Sequence, residues 1–199
     1  MQNKPMIVHL LSGGLDSVTM LYEMHGDGCS VHCLLFDYRQ PHVQELQWAK
    51  HHCHRLGVNY TTIDLPRLGG LTDGDWVVPF RNPVMLSIAV NIAVQAGADT
   101  VTIGCNKDDR EQFPDCRWEV IDSLNHTITL CGYSVAIKTP YEGMRKWQII
   151  AKAKALGINL YEMWSCYRGG AKPCMKCPAC LKMLDATKDE MGMRESRPL

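Results

Sequence analysis

Apolar and polar positions along this chain alternate between two periods, and each change of period marks an element. Residues 6–11, Met-Ile-Val-His-Leu-Leu, make the short apolar run of a buried strand, and a helix is predicted behind it over residues 16–25. Residues 31–36 repeat the strand pattern. Between residues 42 and 56 the apolar positions Val43, Leu46, Ala49, Cys53 and Leu56 recur at helical spacing, until Gly57 stops the run. Residues 60–65 alternate as a third strand. After a loop rich in glycine and aspartate, Asn82 is placed to cap a helix through Gln95 that ends at Gly97, and residues 100–103 return to strand. Residues 104–115 read as a polar loop. A helix over 117–126, a strand over 135–139 and an amphipathic helix over 145–156 complete the pattern.

Strands alternating with helices predict an α/β fold built on a doubly wound parallel sheet, with one main domain over residues 1–160 and a small module over 161–199 packed on it. In such sheets ligands bind outside the carboxyl ends of the strands, so the segments after strands one, two, four and five are expected to converge on one cleft.

Composition narrows the partners. The chain has 199 residues, 46% of them hydrophobic, which is enough for one domain with a core. Its 21 basic and 21 acidic residues cancel, so no strong field draws it to nucleic acid or to an anionic membrane, and small-molecule substrates are expected. The ten cysteines would suggest disulfides in a secreted protein, but Met1 to Pro5 begin no apolar signal core, so reduced thiols and a cytoplasmic location are expected. The most apolar stretch, residues 84–98, includes Ser87, Asn91 and Gln95 and is too short and polar to span a bilayer.

The first strand runs into Ser12-Gly13-Gly14-Leu15-Asp16-Ser17. Two glycines permit a sharp turn that brings backbone N–H groups against a phosphate, and the helix that follows adds its own free N–H groups and the positive end of its dipole. Ser12 and Ser17 offer hydroxyls, and Asp16 can hold magnesium or cap the first turn. No Gly-Lys-Ser/Thr follows and no third glycine completes a dinucleotide fingerprint. The stretch resembles instead the Ser-Gly-Gly-x-Asp-Ser loop of enzymes that split ATP into AMP and pyrophosphate. That resemblance places ATP along Leu11, Ser12, Gly13, Gly14, Leu15, Asp16, Ser17, Val18, Thr19, Met20 and Leu21.

Four thiols stand close together near the far end, as Cys166-x7-Cys174-x2-Cys177-x2-Cys180. The spacing suits a closed tetrahedral zinc site with a structural role, one ion per chain. An iron-sulfur cluster is the competing reading, although ferredoxin runs place their fourth cysteine downstream and here it lies upstream. The other six cysteines read as small core residues, with Cys105 and Cys116 flanking the expected cleft. His51, His52 and His54 point in different directions on a helix and do not share one ligand. Gln40 and His42 follow strand two and are candidate polar contacts to a substrate. Arg81 with Asn82 at a helix start makes a candidate anion clamp. Phe113, Asp115 and Arg117 combine a stacking ring, a carboxylate and a guanidinium, as a guanine-like ring with an acid group would require.

Taken together these motifs resemble the 7-cyano-7-deazaguanine synthases of queuosine-precursor biosynthesis over almost the whole chain. The resemblance rests on Ser-Gly-Gly-Leu-Asp-Ser at 12–17, Phe-Asp-Tyr-Arg-Gln-Pro-His at 36–42, Val-Pro-Phe-Arg-Asn at 78–82, Pro-Asp-Cys-Arg at 114–117, Thr-Pro-Tyr at 139–141, and the segment from Trp164 to Cys180. It implies an adenine nucleotide α-hydrolase-like fold, ATP with magnesium, zinc, and often a homodimer. Ser12, Asp16, Ser17 and Arg81 are then expected to act in catalysis. The implied reaction turns 7-carboxy-7-deazaguanine and ammonia into the nitrile through two adenylations. The chain departs from the family pattern at Pro41, at Phe80, where glycine is usual, and at Glu111-Gln112-Phe113. A variant that stops at the amide, a tRNA-modifying enzyme with the same loop, and a non-catalytic deazaguanine or nucleotide sensor are the alternative readings.

Overall fold

A computed structural model describes residues 6–66, 68 and 77–192. The glycine- and aspartate-rich loop expected before Asn82 lies largely outside the described residues. Five parallel strands form one sheet in the order β3-β2-β1-β4-β5. They are β1 (Met6–Leu10), β2 (Ser30–Asp37), β3 (Asn59–Asp64), β4 (Thr100–Thr102) and β5 (Ala136–Lys138). Met6 to Leu10 pair with Ser30 to Leu34 on one side, and Ile7 to His9 pair with Thr100 to Thr102 on the other. The chain therefore builds outward from β1 in one direction and then returns to build outward in the other.

Side chains on successive strand residues point to opposite faces, and both faces of this sheet are covered. On one face Ile7, Cys33 and Leu35 pack against α1 (Leu15–Gly26), α2 (Glu45–Leu56) and α6 (Lys146–Ala155). On the other, Val8, Leu10, Leu34 and Phe36 pack against α3 (Arg81–Ala96) and α5 (Trp118–Leu130). This double burial is why the strands read as nearly continuous apolar runs. Gly57 and Gly97 end α2 and α3 in the left-handed conformation, as expected of glycine stops.

Two helices form where the sequence reading placed none. α4 (Lys107–Gln112) lies inside the stretch expected to be a polar loop and buries none of its residues. It forms because the Asn106 side chain accepts the Asp109 N–H at 2.9 Å, while Asp108 and Asp109 favour its positive end. α7 (Pro178–Glu190) starts with proline at its first position and packs along α6, placing Ala186 in the core. An ion pair between Lys154 and Glu190 joins the same two helices. No helix among the described residues is long and apolar enough to cross a membrane.

Candidate active site

The reversal of strand order between β1 and β4 leaves a crevice at their carboxyl ends, the usual ligand position in open α/β sheets. A cleft opens there, lined by Leu10, Leu11 and Ser12 from β1 and by Ile103, Gly104 and Cys105 from β4. The two strand-end loops nearly touch. A Cβ on Gly104 would lie 3.1 Å from the Ser17 nitrogen and 3.2 Å from the Asp16 Cβ, so only glycine lets β4 approach the start of α1 without displacement.

The Ser12–Ser17 turn is a small hydrogen-bonded unit. The hydroxyls of Ser12 and Ser17 lie 3.1 Å apart, the Ser12 N–H points to the Ser17 Oγ at 3.3 Å, and the Ser17 hydroxyl donates to the Gly14 carbonyl at 3.2 Å. Ser12, Gly14, Leu15, Asp16 and Ser17 face the cleft. Gly13 serves another purpose: its φ is +85°, and a Cβ there would clash with the Glu45 carbonyl oxygen on α2. Of the longer run to Leu21, Val18, Thr19, Met20 and Leu21 are buried in the core. Beneath the turn His9 is fully buried, with Nε2 2.9 Å from the Ser17 carbonyl and Nδ1 2.8 Å from the Thr102 hydroxyl. A carbonyl only accepts, so Nε2 carries the proton and Thr102 donates to Nδ1. Burial lowers the pKa of His9 to about 4 and keeps the ring neutral.

Asp16 begins a charged row. One carboxylate oxygen accepts the Asn106 amide at 2.7 Å and lies 3.8 Å from the Lys146 Nζ, while the other, Oδ1, is buried without a hydrogen-bond partner among the described residues. A carboxylate oxygen without a partner is the hard oxygen ligand that a magnesium ion takes, the remaining ligands being phosphate and water oxygens. Asp109 follows along the cleft, its carboxyl pushed up to about 6 by burial and held down by Lys146. Lys182 of α7 lies beyond it, its ammonium 5.6 Å from the centre of the Phe113 ring.

The opposite wall comes from β2, α2 and α3. Arg81 donates to the Tyr38 hydroxyl at 3.2 Å and lies over that ring, and both line the cleft with His42, Glu45 and Asn82. The His42 Nδ1 lies 3.2 Å from the Tyr167 carbonyl, and burial lowers its pKa to about 4. Burial also pushes the Glu45 carboxyl up to about 8, against the pull of Gln40 and Arg81. Gln40 is placed differently from a substrate contact. Its amide accepts from the Tyr38 N–H and donates to the Phe36 carbonyl and to Glu45, so the side chain is consumed in holding the turn after β2.

The expected trio divides in the same way. Phe113 faces the cleft with Cys105 and Cys116, but Asp115 and Arg117 are not among the lining residues. The Asp115 carboxylate accepts the Asn82 N–H at 3.2 Å and so caps α3, and Arg117 is exposed. Glu45, Asp109, Lys146 and Lys182 are cleft residues that the sequence reading passed over. Lys146 was accessible to the rule already applied to the other strands, since it opens the helix after β5.

The four cysteines converge. Their sulfurs all lie within 4.8 Å of one another, with Cys174–Cys180 and Cys166–Cys177 at 4.0 Å. A tetrahedral ion about 2.3 Å from each thiolate needs sulfurs roughly 3.8 Å apart, so the set fits one metal ion with no open position. The Lys176 N–H helps lower the Cys174 thiol to about 6, while burial raises those of Cys166 and Cys180. His52, by contrast, is spent on the Tyr22 hydroxyl and the Glu162 carbonyl, at 3.0 and 2.7 Å.

The family model described as Queuosine biosynthesis protein QueC matches residues 6–75 and 73–190. The chain belongs to the QueC family. A 7-cyano-7-deazaguanine synthase of Caldicellulosiruptor bescii is 34% identical to this QueC-family chain, covering 94% of each. The 7-cyano-7-deazaguanine synthase 1 of Colwellia psychrerythraea is 35% identical over 92% of this chain and 94% of its own. Among solved structures, the U34-tRNA thiolase NcsA of Methanococcus maripaludis with its [4Fe-4S] cluster superposes with a TM-score of 0.58 at 16% identity, covering 96% of this chain and 69% of that one. The NH3-dependent NAD synthetase of Campylobacter jejuni gives 0.52 at 19% identity, covering 81% and 68%. These likenesses show that the chain shares the fold of these two proteins. Of the departures of this QueC chain from the family pattern, Phe113 lines the cleft and the others do not. Phe80 is 69% exposed in a left-handed conformation, with φ of 59°, and Pro41, Glu111 and Gln112 are exposed.

Proposed function

We propose that this QueC-family chain converts 7-carboxy-7-deazaguanine and ammonia into 7-cyano-7-deazaguanine, cutting ATP to AMP and pyrophosphate in each of two rounds. The observation that supports it best is the open Asp16 oxygen beside the Ser12–Ser17 turn, at one end of a cleft whose other end offers Phe113 and a second lysine. In the first round a substrate carboxylate oxygen attacks the α-phosphorus and pyrophosphate leaves. Ammonia then attacks the acyl carbon, loses a proton and expels AMP to give the amide. In the second round the amide oxygen attacks a second α-phosphorus, and loss of two protons and AMP leaves the nitrile.

The protein's part is alignment and charge neutralisation. The N–H groups opening α1 and the hydroxyls of Ser12 and Ser17 receive phosphate oxygens. Lys146 balances charge as pyrophosphate departs. Asp16 would hold magnesium, which shields the phosphates when bound. Arg81, anchored on Tyr38, serves the nucleotide or substrate from the opposite wall. Cys166, Cys174, Cys177 and Cys180 would hold a structural zinc ion that secures the module over residues 161–199 on the domain over 1–160. The exposed positions of Phe80, Glu111 and Gln112 support the nitrile over the amide as end product, because none of them lines the cleft.

Mass spectrometry of products from 7-carboxy-7-deazaguanine, ammonia, magnesium and ATP tests the reading. Transient amide followed by nitrile, with AMP and pyrophosphate, is the expected result. Amide that persists with ATP in excess, or ADP and phosphate as direct products, would refute it.

A further inference from the structure

Lysine is seldom buried without a partner, because its ammonium carries three donors and a full charge. The Lys182 Nζ is shielded from solvent and has no hydrogen-bond partner among the described residues. It lines the cleft, 5.6 Å from the centre of the Phe113 ring, and Asp109 feels its charge. The charged row of the site thus runs from Asp16 and Lys146 at the turn, through Asp109, to Lys182 at the aromatic end. Lys146 already serves the turn, 3.8 Å from the Asp16 carboxylate. Arg81 is anchored on Tyr38 across the cleft, whereas Lys182 has no hydrogen-bond partner among the described residues and sits beside the one aromatic ring of its wall that the acid could lie against.

We propose that Lys182 binds the carboxylate of a planar aromatic acid lying on Phe113, and so selects the acid that is to be activated. The assignment rests on the reaction proposed above, whose first substrate is such an acid and whose intermediate amide is neutral. Lys182 should therefore discriminate between the two. It holds the charged acid and contributes little to the amide, which lets one cleft accept both in turn without trapping the first. The lysine is delivered by α7, which starts next to Cys177 and bears Cys180 in its first turn, so the cysteine cluster sets the reach of the side chain.

The test compares wild type, Lys182→Met and Lys182→Arg in equilibrium binding of 7-carboxy-7-deazaguanine, of 7-amido-7-deazaguanine and of ATP, followed by KM and kcat for each. Loss of a charged hydrogen bond predicts about 10-fold to 100-fold weaker binding of the acid to Lys182→Met. Binding of the amide and of ATP should change less than about threefold, and Lys182→Arg should restore most of the acid affinity. A merely structural role would weaken all three ligands together, and that outcome overturns the proposal, as does unchanged acid binding in Lys182→Met. The two readings separate cleanly. Wild type that binds the acid through Lys182 but forms no AMP sinks the proposed reaction alone, whereas full turnover with Lys182→Met binding the acid normally sinks this inference alone. Wild type that binds neither deazaguanine sinks both.

Discussion

The Trp164 N–H donates to the Gly13 carbonyl at 3.0 Å, so the turn after β1 is held from outside by the segment leading into the cysteine cluster. Trp164 is itself buried against Cys166, Cys177 and Cys180, and its indole N–H donates to the Cys166 carbonyl at 2.7 Å. A path of two hydrogen bonds and one packed ring therefore joins the four thiols to the glycine turn.

Removing one thiol should be felt at the turn. Cys177→Ala leaves three ligands, loosens the bed of Trp164 and is expected to lower the melting temperature and the ATP affinity together, with metal content falling from one ion per chain. Thermal melts, calorimetric ATP binding and metal analysis check this. Iron with labile sulfide in the wild type would displace zinc, and a metal-free Cys177→Ala protein with full stability would remove the structural role.

The two glycines of the turn should respond differently. Gly13→Ala forces a Cβ against the Glu45 carbonyl at a φ of +85° and is expected to destabilise by roughly 2 to 4 kcal/mol. A Cβ on Gly14 first meets the Ser12 Oγ at 3.4 Å, ordinary contact, so Gly14→Ala should melt close to wild type. Paired melting curves decide it, and equal losses would show that α2 yields at the Glu45 carbonyl.

Asp16→Asn keeps an oxygen for the Asn106 amide and removes the charge. Turnover should fall by about 100-fold or more, and the melting temperature should fall as well, because the variant also takes a charge partner from the half-buried Lys146. Steady-state AMP formation across a magnesium titration measures it, and near-normal turnover would exclude a role for this carboxylate in holding the ion.

Glu45 gives the wild type a pH dependence of defined sign. Its pKa rises from 4.5 in the unfolded chain to about 8 in the fold, so folding favours the protonated acid. Stability from this group is complete below about 4.5 and is lost as pH rises to about 8, where the loss levels off. Glu45→Gln resembles the neutral acid and is spared that loss. Its stability advantage over wild type should grow between pH 5 and pH 8 to on the order of a few kcal/mol. Melting curves across that range test the sign, and a constant difference would refute it.

Most of the sheet and its covering helices could be read from the sequence because burial on two faces writes apolar runs and helical spacing directly into the chain. α4 could not, since Lys107 to Gln112 bury nothing and the helix is held by the cap at Asn106. The Ser12–Ser17 turn and the cysteine spacing were legible because their chemistry is local. The rest of the cleft was not: Asp115 looks like a ligand in sequence but is taken by the Asn82 N–H, a contact made between two loops. Glu45 and Lys182 look like ordinary helix-surface charges until α2 and α7 are docked.

That docking joins residues far apart in the order of synthesis. Ser12 and Lys182 line the same cleft, and Trp164 reaches back to Gly13. A growing chain exposes the turn early but acquires its outer support only after nearly all the described residues have left the ribosome, and contacts of such long sequence separation form late. Ala186 of α7 also completes the core that covers α1. A chain interrupted before Trp164 would thus carry the glycine turn without its outer support, so the turn after β1 is among the first parts made and among the last to be held in place.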